Sequence, residues 1–163
     1  MRKVILLCVA TILAVACKSA SVATAPAAST KLDKSAQVGI KGNWQITDVT
    51  YPGSQYIKVT SFNVADSKCF VGSTWSFISN NNKGTMALTQ SGCPAFNSSI
   101  TWYINEEGKF VMKILDEGLK SKKVTTGFVL GIANQTETSF QLIDKINVGG
   151  KLTDVVYQFQ KTN

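Results

Sequence analysis

The strongest pattern along the chain is an alternation of hydrophobic and polar residues that begins near Gly42 and continues to the C-terminus. A period of two is typical of β-strands, because successive side chains point to opposite faces of a sheet. Clusters of Asn, Gly, Asp and Ser interrupt the alternation where turns are expected. The predicted strands cover residues 43–49, 73–79, 84–90, 98–104, 109–115, 124–133, 137–146 and 151–161.

Eight consecutive antiparallel strands with mostly short turns predict an all-β fold, an up-and-down antiparallel barrel over residues 39–163. Closing the sheet on itself removes the unpaired edges that an open meander would expose. At eight strands the interior is just wide enough to be filled by side chains or to hold one small ligand. A sandwich of two sheets is the alternative.

One face of the predicted strands is consistently hydrophobic, and we expect it to face the interior of the barrel. The opposite face is polar, as Thr101 and Gln158 illustrate. The predicted inward set is Trp75, Phe77, Met86, Leu88, Ile100, Trp102, Ile104, Phe110, Met112, Ile114, Phe128, Leu130, Ile132, Phe140, Leu142, Val155, Tyr157 and Phe159.

The N-terminus has a different pattern. Arg2 and Lys3 precede a run over residues 4–16 that is apolar apart from Thr11 and that ends in small residues and Cys17. This order is typical of a secretory signal, and the run is shorter than the roughly 20 residues that cross a bilayer. Residues 13–17, LAVAC, resemble a bacterial lipobox. The resemblance implies a lipoprotein signal peptide over residues 1–16 and acyl chains on Cys17; the alternative is an ordinary cleaved signal with a chance cysteine.

Residues 17–38 are expected to form a lipidated, flexible tether. The segment is rich in Ala, Ser and Thr and contains no aromatic residue, so it cannot bury enough apolar surface to offset the entropy lost on ordering. An N-terminal helix packed on the domain is the alternative.

Composition narrows the possible functions. The net charge is +7, yet Arg2 is the only arginine, which argues against nucleic-acid binding. The chain contains no histidine, so neither a Ser-His-Asp site nor an imidazole metal ligand is available. We therefore expect no enzymatic activity, no metal and no cofactor. A pair of carboxylates in one cleft remains the enzymatic alternative, and Asp144 and Asp154 are the acidic residues whose burial the pattern leaves open.

Cysteine usage predicts one disulfide. Cys8 leaves with the signal and Cys17 is the lipid site, which leaves Cys69 and Cys93. If the chain turns at residues 80–83, these two cysteines fall within one residue of facing each other across the first predicted hairpin. A secreted protein with two remaining cysteines most simply forms one bridge. A redox-active pair is the alternative, although the Cys-x-x-Cys spacing is absent.

Two motifs resemble the lipocalin family. Gly42-Asn43-Trp44 opens the first strand, and a second motif consists of Cys69, Trp75, Phe77, Asn82, Gly84 and Cys93. Together with the lipobox and tether, they resemble the lipocalin-like lipoproteins of Bacteroidetes-type bacteria. The resemblance implies that Gly42 and Trp44 close one end of the barrel. Lipocalins cover this tryptophan with an arginine near the end of the last strand, and Lys161 is the cation available here.

The long connection over residues 50–70 is expected to be a lid, since loops of this length are uncommon and often functional. A small molecule entering beside it would meet Tyr51 and Tyr56, and then Phe77, Met86, Trp102 and Met112. Methionine and aromatic side chains form an adaptable wall for apolar ligands. The alternative is that these side chains pack against one another and fill the barrel.

The sequence thus predicts a monomeric barrel, anchored by lipid to the outer membrane and facing the periplasm. It would bind a small apolar or amphipathic molecule in its lumen and no nucleic acid. The alternative is a barrel with a filled core that acts through protein contacts of its loops, as an envelope assembly factor or inhibitor.

Overall fold

The computed structural model describes residues 33–54, 58–115, 118 and 120–163. The predicted signal peptide, the lipidation site Cys17, the tether as far as residue 32 and the predicted ligand contact Tyr56 lie outside the described residues.

Eight antiparallel strands close into a barrel, which confirms the predicted fold class. A seven-residue helix, α1 (Lys34–Ile40), precedes them. The strands are β1 (Gly42–Thr50), β2 (Thr60–Ser61), β3 (Ala65–Asp66), β4 (Thr74–Ile78), β5 (Lys83–Leu88), β6 (Phe96–Ile104), β7 (Phe110–Leu115), β8 (Phe128–Ala133), β9 (Ser139–Val148) and β10 (Lys151–Lys161). The short strands β2 and β3 form a separate hairpin, and the other eight make up the barrel.

The barrel closes at β1, which pairs with β4 on one side and with β10 on the other. Trp44 lies at this seam, opposite Trp75 of β4 and Lys161 of β10. The register against β10 shifts between Ile46 and Asp48, so β1 carries one extra residue there. Such a bulge bends a strand and increases its twist, which helps the sheet to curve into closure.

The predicted inward set is the core. Most of its members are buried, including Trp102 and Tyr157 at 0% exposure. The remaining three, Ile114, Phe128 and Ile132, are partly buried and pack against the core. The period-two pattern therefore assigned the inner face of every barrel strand that it was applied to.

The barrel has two different ends. The closed end carries α1 together with the turns at residues 79–82, 105–109 and 134–138. The mouth, at the opposite end, carries the long connection between β1 and β4 and the two-residue turn between β9 and β10. Gly149 and Gly150 form that turn with φ values of 60° and 89°, a left-handed conformation that glycine adopts without a steric penalty.

Helix α1 corrects the predicted extent of the tether, since residues 33–38 are packed on the domain. Asp33 caps the helix by accepting a hydrogen bond from the backbone N–H of Ala36 at 3.1 Å. That bond and a second one from the Ser35 hydroxyl lower the pKa of the Asp33 carboxyl. Gln37 and Ile40 are buried. Ile40 is the single large buried apolar residue of this short helix. One apolar position does not make a repeat, so the hydrophobic periodicity could not predict the helix.

None of the helices in the described part of the chain combines the length and the apolar character needed to cross a membrane.

The first hairpin turns one residue earlier than predicted. Ile78 pairs with Lys83, so the turn covers residues 79–82 and not 80–83. Asn82 takes a left-handed φ of 57°, and the Asn81 side chain accepts a hydrogen bond from the Lys83 N–H at 3.1 Å. Three adjacent asparagines offered the turn several equivalent positions, which the alternation could not distinguish.

Strand β8 is also shorter than predicted, because it begins at Phe128 rather than at residue 124. The preceding segment includes a 3-10 turn, Ser121–Lys123, and its backbone hydrogen-bonds to the side chain of Lys113 instead of pairing with the sheet. The Lys113 ammonium donates a hydrogen bond to the Val124 carbonyl at 2.8 Å. This contact satisfies a backbone group that a strand would have paired.

Candidate functional site at the mouth of the barrel

Trp44 fills the closed end. Its side chain is 1% exposed, and the indole Nε1–H donates a hydrogen bond to the Ile40 carbonyl of α1 at 2.8 Å. The ring meets Phe140 edge to face at 4.6 Å between centroids. Lys161 Nζ lies 5.8 Å from the center of the indole, within the range of a cation–π contact. Gly42, with φ at 124°, begins the strand that positions this indole.

Phe62 fills the mouth. It lies at the tip of the β2–β3 hairpin and is 5% exposed. Its ring meets four other aromatic rings at 5.2–6.2 Å between centroids: Phe70, Trp75, Phe128 and Tyr157. The β2–β3 hairpin of the long connection therefore covers the mouth, and the Phe62 side chain occupies the entrance.

The backbone at Phe62 is unusual. Phe62 and Asn63 have φ values of 53° and 58°, and the Val64 N–H donates a hydrogen bond to the Ser61 carbonyl at 3.0 Å. Two left-handed central residues are typical of a type I′ turn, where Asn and Gly are the usual residues. A left-handed conformation costs a residue with a Cβ about 1–2 kcal/mol. The packing of the ring therefore has to offset this backbone strain.

Hydroxyl groups fasten the hairpin to the barrel. The Ser61 and Tyr157 hydroxyls hydrogen-bond to each other at 2.5 Å, and those of Tyr51 and Ser67 form a second pair. Lys68 donates a hydrogen bond to the Val49 carbonyl and lies 5.1 Å from the center of the Tyr51 ring. Burial raises the pKa of the Tyr157 hydroxyl, so this group stays protonated at neutral pH.

The disulfide between Cys69 and Cys93 is confirmed. Cys69 lies in the 3-10 turn Ser67–Phe70 that directly follows β3, and Cys93 lies in the connection between β5 and β6. Neither cysteine belongs to a strand, and the bridge lies beyond the open end of the β4–β5 hairpin, within one residue of facing positions in its register, as predicted. It joins the base of the β2–β3 hairpin to the rim of the mouth.

The predicted ligand contacts lie in two places. Tyr51 is buried at the mouth, where it bonds Ser67. The other four described contacts lie deeper, and none of them is more than 2% exposed: Phe77, Met86, Trp102 and Met112. The structure thus brings Phe77 and Trp102 together at 5.0 Å between centroids, as parts of the core.

Aromatic rings fill the interior between the two ends. Trp102 stacks on Phe110 at 5.7 Å, and Phe140 stacks on Phe159 at 4.5 Å. Phe77 lies between the two stacks, 5.5 Å from Phe110 and 6.2 Å from Phe159. A chain of ring contacts therefore runs from Trp44 at the closed end to Phe62 at the mouth.

Comparison with known protein families decides which family this architecture represents. A model of the lipocalin-like domain matches residues 40–142, from the last residue of α1 into β9. The chain belongs to the lipocalin-like domain family. No curated protein matches it in sequence.

Solved structures of bovine odorant-binding protein are similar to this lipocalin-like chain. The complex with a selenium-containing odorant has 11% identity over 78% of this chain and 73% of that chain, with a TM-score of 0.44. The protein from nasal mucosa has 15% identity over 77% and 72%, with a TM-score of 0.42. At these values neither structure bears on what this lipocalin-like chain binds.

A cavity of about 1020 Å³ lies beside strands β5–β7 and residues 118 and 120–122. Asn97, Ser99 and Thr101 of β6 line it on one side, and Lys120 and Lys122 line it on the other. It includes none of the predicted ligand contacts. The described residues also contain no group of three or more His, Cys, Asp or Glu side chains that could hold a metal ion.

Asp144 is an acidic residue on the inner face of the lipocalin-like barrel. It is half-buried on β9, opposite Val155 of β10. Desolvation raises the pKa of its carboxyl. Asp154, in contrast, forms an ion pair with Lys145 at 2.8 Å on the outer face. The two carboxylates thus occupy opposite faces of the sheet and do not form the paired arrangement that a glycosidase needs.

Sequence reasoning missed Phe62 as a site residue. The signal was available, since Phe62 is a large aromatic residue in a connection otherwise predicted to be a lid, and Asn63 after it favours a left-handed turn. A large aromatic side chain directly before a turn-forming residue in a long loop suggests that its ring plugs the entrance.

Proposed function

We propose that this protein is a lipid-anchored binding protein of the bacterial envelope that takes a small apolar or amphipathic molecule at the mouth of its barrel. The ligand occupies the position of the Phe62 ring after the β2–β3 hairpin moves outward. The observation that carries this proposal is the aromatic environment of Phe62, a single side chain from outside the barrel that lies against four rings of the mouth.

The mouth is a better position for a ligand than the deeper lumen. Ring contacts occupy the deep lumen, and the side chains there come from the barrel strands themselves. A ligand at that depth would require several strands to repack, which close-packed interiors resist. At the mouth a ligand has to displace only Phe62, whose hairpin is not part of the barrel sheet.

The hairpin is built to be displaced. It consists of two residue pairs, Thr60 with Asp66 and Ser61 with Ala65, and an isolated two-stranded hairpin is marginal in water. Its turn holds Phe62 in a left-handed conformation that is relieved when the ring leaves. Binding elements are drawn from the least stable parts of a fold, and this hairpin has the features of one.

The vacated mouth would present both apolar and polar groups. The rings of Phe70, Trp75 and Phe128 would line the vacated space, and the Tyr157 hydroxyl would lose its partner Ser61. Such a site suits an apolar body with one polar group, because the freed hydroxyl regains a hydrogen bond from the ligand.

A neutral fluorescent probe tests the proposal. N-phenyl-1-naphthylamine, titrated into the Cys17→Ser full chain, should bind saturably at one site. Phe62→Ala should tighten that binding on the order of tenfold, because no plug has to be displaced. Leu152→Ala, which removes an outward side chain that is 69% exposed, should leave the binding unchanged. The absence of saturable binding to both the parent and Phe62→Ala would overturn the proposal.

A filled barrel that acts through protein contacts is the second candidate, and the packed rings of the deep lumen favour it. In that case Phe62 is a permanent part of the core and no apolar probe enters. The protein would then act through its loops, as an envelope assembly factor or inhibitor. In both cases we propose a monomer without enzymatic activity.

The anchor has its own test. Acyl chains on Cys17 would hold the protein at the outer membrane facing the periplasm, since more than one chain suffices for stable anchoring. Cys17→Ser should move the protein from the membrane pellet to the soluble periplasmic fraction. A variant that still pellets with membranes would contradict the lipobox interpretation.

A further inference from the structure

Asp144 is a carboxylate on the inner face of β9. The residues two and four positions before it on the same face, Leu142 and Phe140, are buried at 1% and 0% exposure. Ile146, two positions after it, packs against the core. Its partner on β10, Val155, is also fully buried. Asp144 therefore lies among apolar side chains that face the interior, in the half of β9 that leads to the mouth.

Asp144 has no counter-ion within the described part of the chain. It forms neither an ion pair nor a hydrogen bond with another described residue, and two lysines of this region have other partners. Lys145, its neighbor in sequence, points to the outer face and pairs with Asp154 at 2.8 Å. Lys68, which follows the hairpin, donates a hydrogen bond to the Val49 carbonyl and lies over the Tyr51 ring.

An unpaired carboxylate in such a position is unfavourable by itself. Removing an ionised carboxyl from water is costly unless an opposite charge or hydrogen bonds compensate for the lost hydration. The desolvation that raises the pKa of Asp144 is the sign of that cost. A bound cation would compensate for it, whereas a bound anion would increase it.

The aromatic groups of the mouth lie near this carboxylate. Tyr157 is a diagonal neighbor of Asp144 in the β9–β10 ladder, because Asp144 pairs with Val155 and Leu142 pairs with Tyr157. Diagonal neighbours on one face are about 7–8 Å apart. The Tyr157 ring touches Phe62 at 5.3 Å and Phe70 at 6.3 Å between centroids. Displacement of Phe62 would therefore open a space with aromatic walls and a negative charge on one side.

We infer that the ligand of the mouth is an organic cation, a small molecule with an apolar body and a protonated amine or quaternary ammonium group, whose charge is bound by Asp144. Aromatic faces attract such cations, and the carboxylate supplies a charge-assisted partner. The inference rests on the proposed binding site at the mouth and names the class of its ligand. It gives a role to the Asp144 carboxylate, whose presence on the inner face the packing of the barrel does not explain.

Three naphthalene probes of similar size separate charge from apolar binding. They are 1-naphthylmethylamine, which is protonated at pH 7, the neutral 1-naphthalenemethanol and the anionic 1-naphthaleneacetate. We expect the amine to bind the Cys17→Ser full chain about tenfold more tightly than the alcohol, as a charge-assisted contact of 1.4 kcal/mol or more provides. The acetate should bind more weakly than the alcohol. Isothermal titration calorimetry measures all three affinities.

Matched variants assign the effect to one carboxylate. Asp144→Asn should lower the affinity for the amine to that for the alcohol and leave the alcohol itself unchanged. Asp154→Asn removes a carboxylate of the next strand on the outer face and should leave the preference for the amine intact. Thermal melting of both variants establishes that they are folded.

The outcomes are distinct. If the alcohol and the amine bind equally, or if Asp144→Asn retains the preference for the amine, the inferred ligand class is wrong and the site at the mouth stands. If Asp154→Asn removes the preference, the cation is held by the outer surface and the inference is wrong. If no probe binds saturably, the proposed site and the inference both fall.

Discussion

The two ends of the barrel are both filled by an aromatic side chain, but the two side chains are held in different ways. At the closed end Trp44 belongs to β1, a strand of the barrel, and its Nε1–H is bonded to the Ile40 carbonyl at 2.8 Å. At the mouth Phe62 belongs to a hairpin outside the barrel sheet, on a left-handed backbone. Its ring carries no polar group, so packing alone positions it.

The difference shows which end is built to stay shut. Trp44 cannot leave without breaking the pairing of β1 with its two neighbouring strands and the contact with α1. Phe62 can leave when two short residue pairs and two pairs of hydroxyls separate. Trp44 and Phe62 are thus both buried, at 1% and 5% exposure, although they are attached to the barrel in different ways.

Trp44→Ala should have the largest effect. The substitution leaves a void in the closed end and removes the partner of the Ile40 carbonyl, at a cost of about 3–5 kcal/mol of unfolding free energy. Urea unfolding followed by circular dichroism measures this cost. A loss below about 1 kcal/mol would mean that the closed end can collapse around the void, and the comparison of the two ends would fail.

Loss of the disulfide should rank second. Closing the loop between Cys69 and Cys93, 24 residues apart in sequence, stabilises the chain by about 3 kcal/mol in the entropic account. Reduction should therefore lower the melting temperature by ~10 °C and leave a cooperative transition. Amide exchange should increase more at the hairpin, for example at Val64 and Ser67, than at Trp102 in the barrel. Equal changes at both places would show that the bridge stabilises the whole fold and does not fasten the mouth in particular.

Phe62→Ala should cost less than Trp44→Ala, about 2 kcal/mol, because the hairpin can shift and water can enter at the mouth. Phe62→Gly is the matched control for strain. It removes the same ring and also the Cβ that disfavours a left-handed φ, so it should be about 1 kcal/mol more stable than Phe62→Ala. The reverse order would show that the backbone at this position is not strained.

The sequence predicted the barrel well because a period of two depends on backbone geometry alone. Every predicted inward residue lies in or against the core. The disulfide followed from counting cysteines. The inward-facing set follows from a local pattern, and the disulfide follows by elimination of the other cysteines. Neither prediction depends on how the chain outside the strands is folded.

The contents of the lumen were beyond the sequence for a physical reason. Phe77 and Trp102 point inward whether they line a cavity or fill it, and periodicity does not distinguish the two cases. The packing in three dimensions decides between them: the Phe77 and Trp102 rings lie 5.0 Å apart, and the Phe62 ring, which comes from the long connection, packs on Trp75. Helix α1 was considered only as the alternative to a tether for a related reason, since its role depends on the barrel end that it covers.

Asp144→Asn should have the smallest effect on stability and the opposite sign. The folded-state pKa of Asp144 is raised by desolvation, so the folded protein binds this proton more tightly than the unfolded chain does. Stability contributed by the protonated group is therefore present at low pH and is lost as the pH rises from below 3.8 through the raised pKa. At pH 7 the variant, which carries no charge there, should be more stable than the parent by less than about 1 kcal/mol, since solvent screens a half-buried group. The difference should shrink as the pH is lowered toward 3, which chemical unfolding at several pH values measures.

Asp154→Asn, which breaks the outer ion pair with Lys145, should not stabilise the protein at any of these pH values. If Asp144→Asn destabilises the protein at pH 7, the ionised carboxylate has a stabilising partner in the folded state. Asp144 would then not be the uncompensated charge at the mouth from which the class of ligand is inferred.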